Sequence, residues 1–217
     1  MSVLTVFLPK VLQYAPGCAE PAAFDAIRSA AIEFCERTNL WRTTLTCEAA
    51  ANPVAIVPYD ATPDAAQLTL PADAVLHSIA RVLHEGRELH PATTAYLDEH
   101  YHDWRTATDT GAPQYVTQLV QDELRLYPFA AGEIRATVRL KPTQDAETLP
   151  DFLADRYRDT IQAGALAKIL LLPGQPFTNP DLAVFFAARF QADIDRLFNA
   201  EARGQQRAPV RTRPQYF

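Results

Sequence analysis

Glycine is scarce: the 217 residues hold seven, and none falls in a phosphate-cradling loop. Both G-x-G-x-x-G and G-x-x-x-x-G-K-S/T are absent, so nucleotide chemistry built on such a backbone cradle has no seat. Serine is equally sparse, and Ser2, Ser29 and Ser78 lack a nucleophile-elbow context, which argues against the common serine-hydrolase architecture. Cys18, Cys35 and Cys47 are odd in number and lack ligand-like spacing. They are expected to be reduced, buried thiols, as in a protein made in cytosol. No window approaches the roughly twenty uninterrupted apolar residues of a membrane span, so no crossing is expected. No basic residue precedes the apolar run at residues 3–8, so the N-terminus reads as mature protein.

What is present is a chain long enough for one domain, or one domain with a sizeable insertion. Its charge is mildly acidic, net −6, but uneven. Arg203, Arg207, Arg211 and Arg213 follow Glu201, after which no acid appears, so a basic tail leaves an acidic body.

Apolar residues Phe24, Ile27, Ala31 and Phe34 recur at helical spacing between Glu20 and Trp41, with Pro21 suited to a first turn. The middle of the chain is punctuated by proline and predicts strands at residues 54–57, 75–83, 115–120, 124–127 and 134–140. The last is clearest, because Ile134, Ala136, Val138 and Leu140 alternate with polar residues. Glu85-Gly86 and Gln121-Asp122 suit hairpin turns, and residues 92–104 suit one short helix. Helical spacing returns from Pro150 through Leu153, Tyr157, Ile161, Gly164 and Ala165, stopping at Leu172-Pro173-Gly174. Gly164 implies close packing. Asn179 can cap a final helix, with Pro180 at its first position and Asp181 complementing its dipole. Leu182, Phe186, Phe190, Ile194 and Leu197 form its apolar stripe.

The expected fold class is α+β: a helical bundle from N-terminal and two C-terminal helices, a β-rich insertion, and an extended C-terminal tail. The expected parts are residues 1–41, the N-terminal segment and helix; 42–149, the insertion; 150–202, the C-terminal helical hairpin; and 203–217, the tail. The tail has no period and contains Pro209 and Pro214, so it is expected to be loose or ordered by a partner.

Other constellations carry less. His77, His84, His90, His100 and His102 cluster in the middle region, but residues two apart on a helix point to different sides. His100 and His102 would therefore chelate together only from an extended segment. Cys47 with a distant histidine has no local support as a nucleophile pair. Asp98-Glu99, Asp122-Glu123 and Asp193/Asp195 show no convergence on a cleft, and Phe185, Phe186, Phe190 and Phe198 suit a core or a subunit interface better than a cofactor box. No enzyme activity, catalytic residue, cofactor or metal is expected. The tail arginines suit phosphate, yet interleaved Pro209, Pro214, Tyr216 and Phe217 favour docking on a protein.

Several segments together resemble the head-to-tail adaptor, or connector, proteins of tailed bacteriophages. They are residues 27–35 followed by Trp41; Trp104 followed by residues 111–115; residues 124–128; Tyr157 with 161–167; residues 173–177 with 179–183; and Phe190. Phe177 stands where that family more often has tryptophan. The resemblance implies a virion protein made in the bacterial host cytoplasm. It also implies a dodecameric ring of self-copies beneath the portal protein, with a tail or nozzle protein below and DNA passing through the channel without specific binding. The C-terminal extension would reach the portal, making Arg203, Arg207, Arg211, Arg213, Tyr216 and Phe217 the expected portal-docking residues. The competing expectation is a nucleic-acid-binding accessory protein using the same tail.

Overall fold

A computed structural model describes residues 1–59, 64–102, 104–105 and 110–201, with side chains through residue 198. In chain order, β1 (Ser2–Val3) leads through a 3-10 turn (Leu4–Phe7) into α1 (Leu8–Tyr14) and α2 (Glu20–Thr38). Next come β2 (Arg42–Ala49), β3 (Val54–Val57), β4 (Leu68–Thr69), β5 (Ala74–His84), β6 (Arg87–Glu88), β7 (His90–Pro91) and α3 (Thr94–His100). Then follow β8 (Tyr115–Thr117), β9 (Glu123–Tyr127), β10 (Gly132–Pro142), β11 (Thr148–Leu149), α4 (Asp151–Arg156), α5 (Arg158–Ile169) and α6 (Pro180–Glu201). The chain is both helical and sheet-forming, and it divides into two units. One holds Met1–Leu40 and the chain from Pro142 onward; the other is Trp41–Lys141.

The first unit is helical. α2 ends where Asn39 turns left-handed at φ 53°, its N–H donating to the Cys35 carbonyl at 2.9 Å, the usual way a helix satisfies its last carbonyls. α5 is buried on nearly every side, and its small residues let α2 and α6 come close. A β-carbon built on Gly164 would lie 2.9 Å from the Phe190 ring and 3.0 Å from Ala30 Cβ, so only glycine fits without displacement. The polar groups on this helix are paired: Gln162 Nε2 donates to the Phe7 carbonyl at 2.8 Å and Thr160 Oγ1 to Asp193 at 3.0 Å. The helix expected from Pro150 onward is interrupted at Tyr157 (φ −124°, ψ 15°). There Arg158 Nε donates to the Ala154 carbonyl at 3.2 Å, and the Tyr157 ring packs 5.1 Å from Phe34.

The second unit carries two sheets, ordered β2-β10-β5-β6 and β4-β3-β9-β8-β7. β2 and β10 pair antiparallel with Ile134 opposite Cys47 and Ala136 opposite Leu45, which puts one buried row on each strand. Val54, Ile56, Leu124 and Leu126 form the equivalent buried row of the second sheet. The β5–β6 turn is Glu85-Gly86, both at positive φ (48° and 76°), as a tight hairpin of matching twist requires. The helix expected over residues 92–104 is shorter, Thr94–His100, with Thr93 Oγ1 accepting the Tyr96 N–H at 3.2 Å.

Candidate assembly surfaces

α6 begins as its sequence demands: Asn179 Oδ1 accepts the Leu182 N–H at 3.1 Å. From there the helix divides its apolar residues between two faces. Ala183, Phe186, Phe190 and Ile194 are buried. Val184 and Phe185 are 67% and 59% exposed, Phe198 is 55% exposed, and Ala188 and Ala192 are exposed as well. Val184, Ala188 and Ala192 stand four apart, so they form one ridge along the helix, with exposed Arg189 and Arg196 beside it. The aromatic stripe read from the sequence is therefore divided: Phe186 and Phe190 hold the bundle, while Phe185 and Phe198 are exposed at separate places on the helix. Single exposed apolar residues are ordinary, whereas an apolar ridge opposite a helix's own core face is a candidate association surface.

The histidines do not converge on a metal site, and the described residues contain no cluster of three or more potential ligands. His84 is buried, its Nε2 3.2 Å from the Ala130 carbonyl. His100 lies 2.9 Å from the Tyr96 carbonyl and stacks on the Tyr96 ring at 4.3 Å, and His90 sits against Tyr115 at 6.4 Å. His77 and His102 are exposed. Two of these histidines thus join an aromatic cluster that sequence spacing does not reveal, because its members come from β7, α3, β8, β9 and the chain between them. Tyr115 lies 5.8 Å from Tyr96 and 5.7 Å from Tyr101, and Tyr101 lies 4.9 Å from Tyr127. The Tyr115 hydroxyl is hydrogen-bonded to both Tyr101 and Tyr96, which lowers its own pKa; the bond to Tyr115 pushes Tyr101 up to about 12.

The thiols and carboxylates are also accounted for. All three cysteines are buried and free. Burial, and secondarily the Glu48 charge, pushes the Cys47 thiol up to about 11, away from thiolate reactivity. Burial likewise raises Cys35 and Cys18. Asp193 accepts from Thr160 and Arg196, whereas Asp195 accepts from Gln191 at 2.8 Å and faces Arg37 at 3.5 Å, so this pair serves separate contacts. Asp98 is engaged by Arg105 and Trp104. Arg203, Arg207, Arg211, Arg213, Tyr216 and Phe217 lie outside the described residues. No helix among the described residues is long and apolar enough to cross a membrane.

A family model described as SU10 adaptor protein matches residues 9–213. No curated protein matches the chain.

Proposed function

The chain belongs to the SU10 adaptor protein family, a family of phage head-to-tail adaptors, and from that premise we propose that it is a ring-forming subunit of a tailed-phage particle. Membership implies a structural virion protein that associates with other phage components, not an enzyme class. In our reading the copies form a dodecameric ring between portal and tail or nozzle protein and continue the DNA channel. Residues 1–41 and 150–202 supply its helical bundle, 42–149 a β-rich insertion, and 203–217 a portal-docking tail.

The observation that carries the ring is the outer face of α6. Val184, Phe185, Ala188 and Ala192 leave most of their surface exposed, and burying an exposed phenylalanine against a neighbouring copy recovers about 1.5–3 kcal/mol. The charge balance supports the channel: residues 1–201 hold 16 Lys/Arg against 26 Asp/Glu, net −10. An acidic lumen repels a phosphate backbone and lets it slide. The arginine tail, with Tyr216 and Phe217 as anchors, suits docking on the portal once that surface exists.

The reading is tested by mixing purified variants with portal-filled heads and imaging the joint. Phe185→Asp changes an outward-facing residue, so its circular dichroism and melting temperature should match the parent while no ring forms. A chain lacking residues 203–217 should stay folded and fail to attach. Rings of normal occupancy with both variants would refute the proposal.

A further inference from the structure

The two sheets of the β-rich unit end differently. The five-stranded sheet is bounded by two-residue strands, β4 and β7, and β7 ends in Pro91, which has no N–H to offer. Short strands and edge prolines are how sheets avoid unwanted pairing. The four-stranded sheet has no such protection along β5, an 11-residue strand that neighbours β10. On its other side β6 pairs only with Leu83 and His84. The Val82 carbonyl accepts the Leu89 N–H at 3.0 Å on that side. Backbone groups alternate in direction along a strand, so Leu76, Ser78 and Ala80 point their N–H and C=O groups the same way as Val82. Among the described residues no strand meets them.

Beside this edge lies a trough of about 600 Å³. Consecutive residues of β5, 77–82, form one wall, so the space is bordered by backbone and not by one row of side chains; Pro91, Ala92 and Val116–Gln118 form part of the other. Val82, Leu89 and Leu124 give it an apolar stretch, beside the polar side chains of Ser78, Thr93, Thr94, Thr117 and Gln118. The Ser78 hydroxyl is buried with no hydrogen-bond partner among the described residues. A small-molecule site of this size would converge several polar groups. Here Arg81 and Glu88, the charged lining residues, are already paired with each other at 2.8 Å.

We infer that this edge takes an extended segment by strand addition, and that the segment is residues 208–212 of a second copy in the ring proposed above, on which reading the inference rests. Three features select that occupant. Ala208, Val210 and Thr212 alternate with Pro209 and Arg211, so a strand would turn small side chains, two apolar and one hydroxyl-bearing, into a trough of the same mixed character and keep Arg207, Arg211 and Arg213 on the other face. With the even-numbered residues bonding to β5, Pro209 sits where a missing N–H costs nothing and where it blocks further strand addition. The charges are complementary: Trp41–Lys141 holds 8 Lys/Arg against 13 Asp/Glu, net −5, while the chain after Glu201 holds four arginines and no acid, net +4. Exchange of a strand from each copy to the next joins two different surfaces, the kind of contact that closes a ring, and leaves Arg203, the outward-facing Arg207, Arg211 and Arg213, and Tyr216 and Phe217 for the portal.

The test is a disulfide trap in the full chain, Ser78→Cys with Val210→Cys, on rings assembled on portal-filled heads. The native cysteines are buried, so mild oxidation reports the introduced pair. A non-reducing gel should show a ladder of covalently joined copies that is absent from each single variant. A second variant, Ala80→Pro, removes an outward N–H without touching the β10 pairing; it should fold normally and raise the concentration for half-assembly roughly tenfold, the effect of a lost hydrogen bond or two. Rings that image normally but give no ladder, or only an internally linked monomer, overturn the inference and leave the ring standing. Absence of rings from the unmodified protein sinks both.

Discussion

The helical unit and the β-rich unit each leave something unfinished, but of different kinds. A helix satisfies its backbone internally, so α6 can offer a neighbour only side chains, and it does so through Val184, Phe185 and the alanines beside them. A strand at a sheet edge cannot satisfy both sides of its backbone, so β5 offers N–H and C=O groups instead. Apolar side chains bind without strict register, whereas a backbone ladder imposes one. One subunit can therefore carry an adaptable contact and a register-setting contact together, which suits a protein that must close on itself and also meet other components.

The interiors of the two units differ in the same spirit, and substitutions of opposite sign separate them. Ile134→Ala should have the largest effect. Ile134 is fully buried opposite Cys47, and deleting its side chain leaves a cavity on the buried face of the sheet, at a cost of about 3–4 kcal/mol. Urea unfolding of the purified variant measures it; a loss below about 1 kcal/mol would mean that this sheet is loosely packed. Gly164→Ala is the complementary change, adding one carbon where α2, α5 and α6 meet. Alanine's better helix propensity returns about 1 kcal/mol, but the clash with Phe190 and Ala30 forces a shift costing about 1–3 kcal/mol. A net loss of up to about 2 kcal/mol is expected. A stabilised variant would show that the bundle has slack, and the contrast between a unit harmed by addition and one harmed by deletion would fail.

Sequence reasoning reached these features unevenly, for physical reasons. α2 and α6 were legible because their signals are local: Pro21 in one first turn, Asn179-Pro180 in another, and apolar spacing between. The need for a small residue at Gly164 was legible too, though not its contact partners. The interruption at Tyr157 was hidden because Leu153, Tyr157 and Ile161 keep helical spacing across it, and the Arg158 side chain that bonds the Ala154 carbonyl there leaves no mark in the spacing. α1 and β2 carried no punctuation strong enough to single them out. The outward turn of Phe185 and the inward turn of Phe186 follow from a 100° step, yet only packing decides which faces the core. The open edge of β5 is invisible in sequence, since the same alternating residues would suit a strand paired on both sides.

The smallest expected effect lies in the β-rich unit, where a polar clasp is added to the packing of a buried indole. Trp104 is 2% exposed, and its Nε1 donates to Asp98 Oδ1 at 2.8 Å. Arg105 donates to both carboxylate oxygens, at 3.0 and 2.6 Å, and its guanidinium lies 5.4 Å from the Trp104 ring centre. Hydrogen bonds first from Arg105 and then from Trp104 hold the Asp98 carboxyl below its ordinary value. A carboxylate whose pKa is depressed on folding contributes stability above its unfolded pKa, near 4, and loses it as pH falls through the lower folded value. Asp98→Asn should therefore weaken the clasp slightly at neutral pH and match the parent more closely in acid, because protonation removes the same charge from both. Because the clasp is exposed to solvent, salt should erode the difference. Trp104 fluorescence followed through an acid titration checks this. A parent and variant that differ equally at pH 7 and pH 3 would assign the clasp to shape alone, leaving backbone pairing and apolar burial as the main supports of that unit.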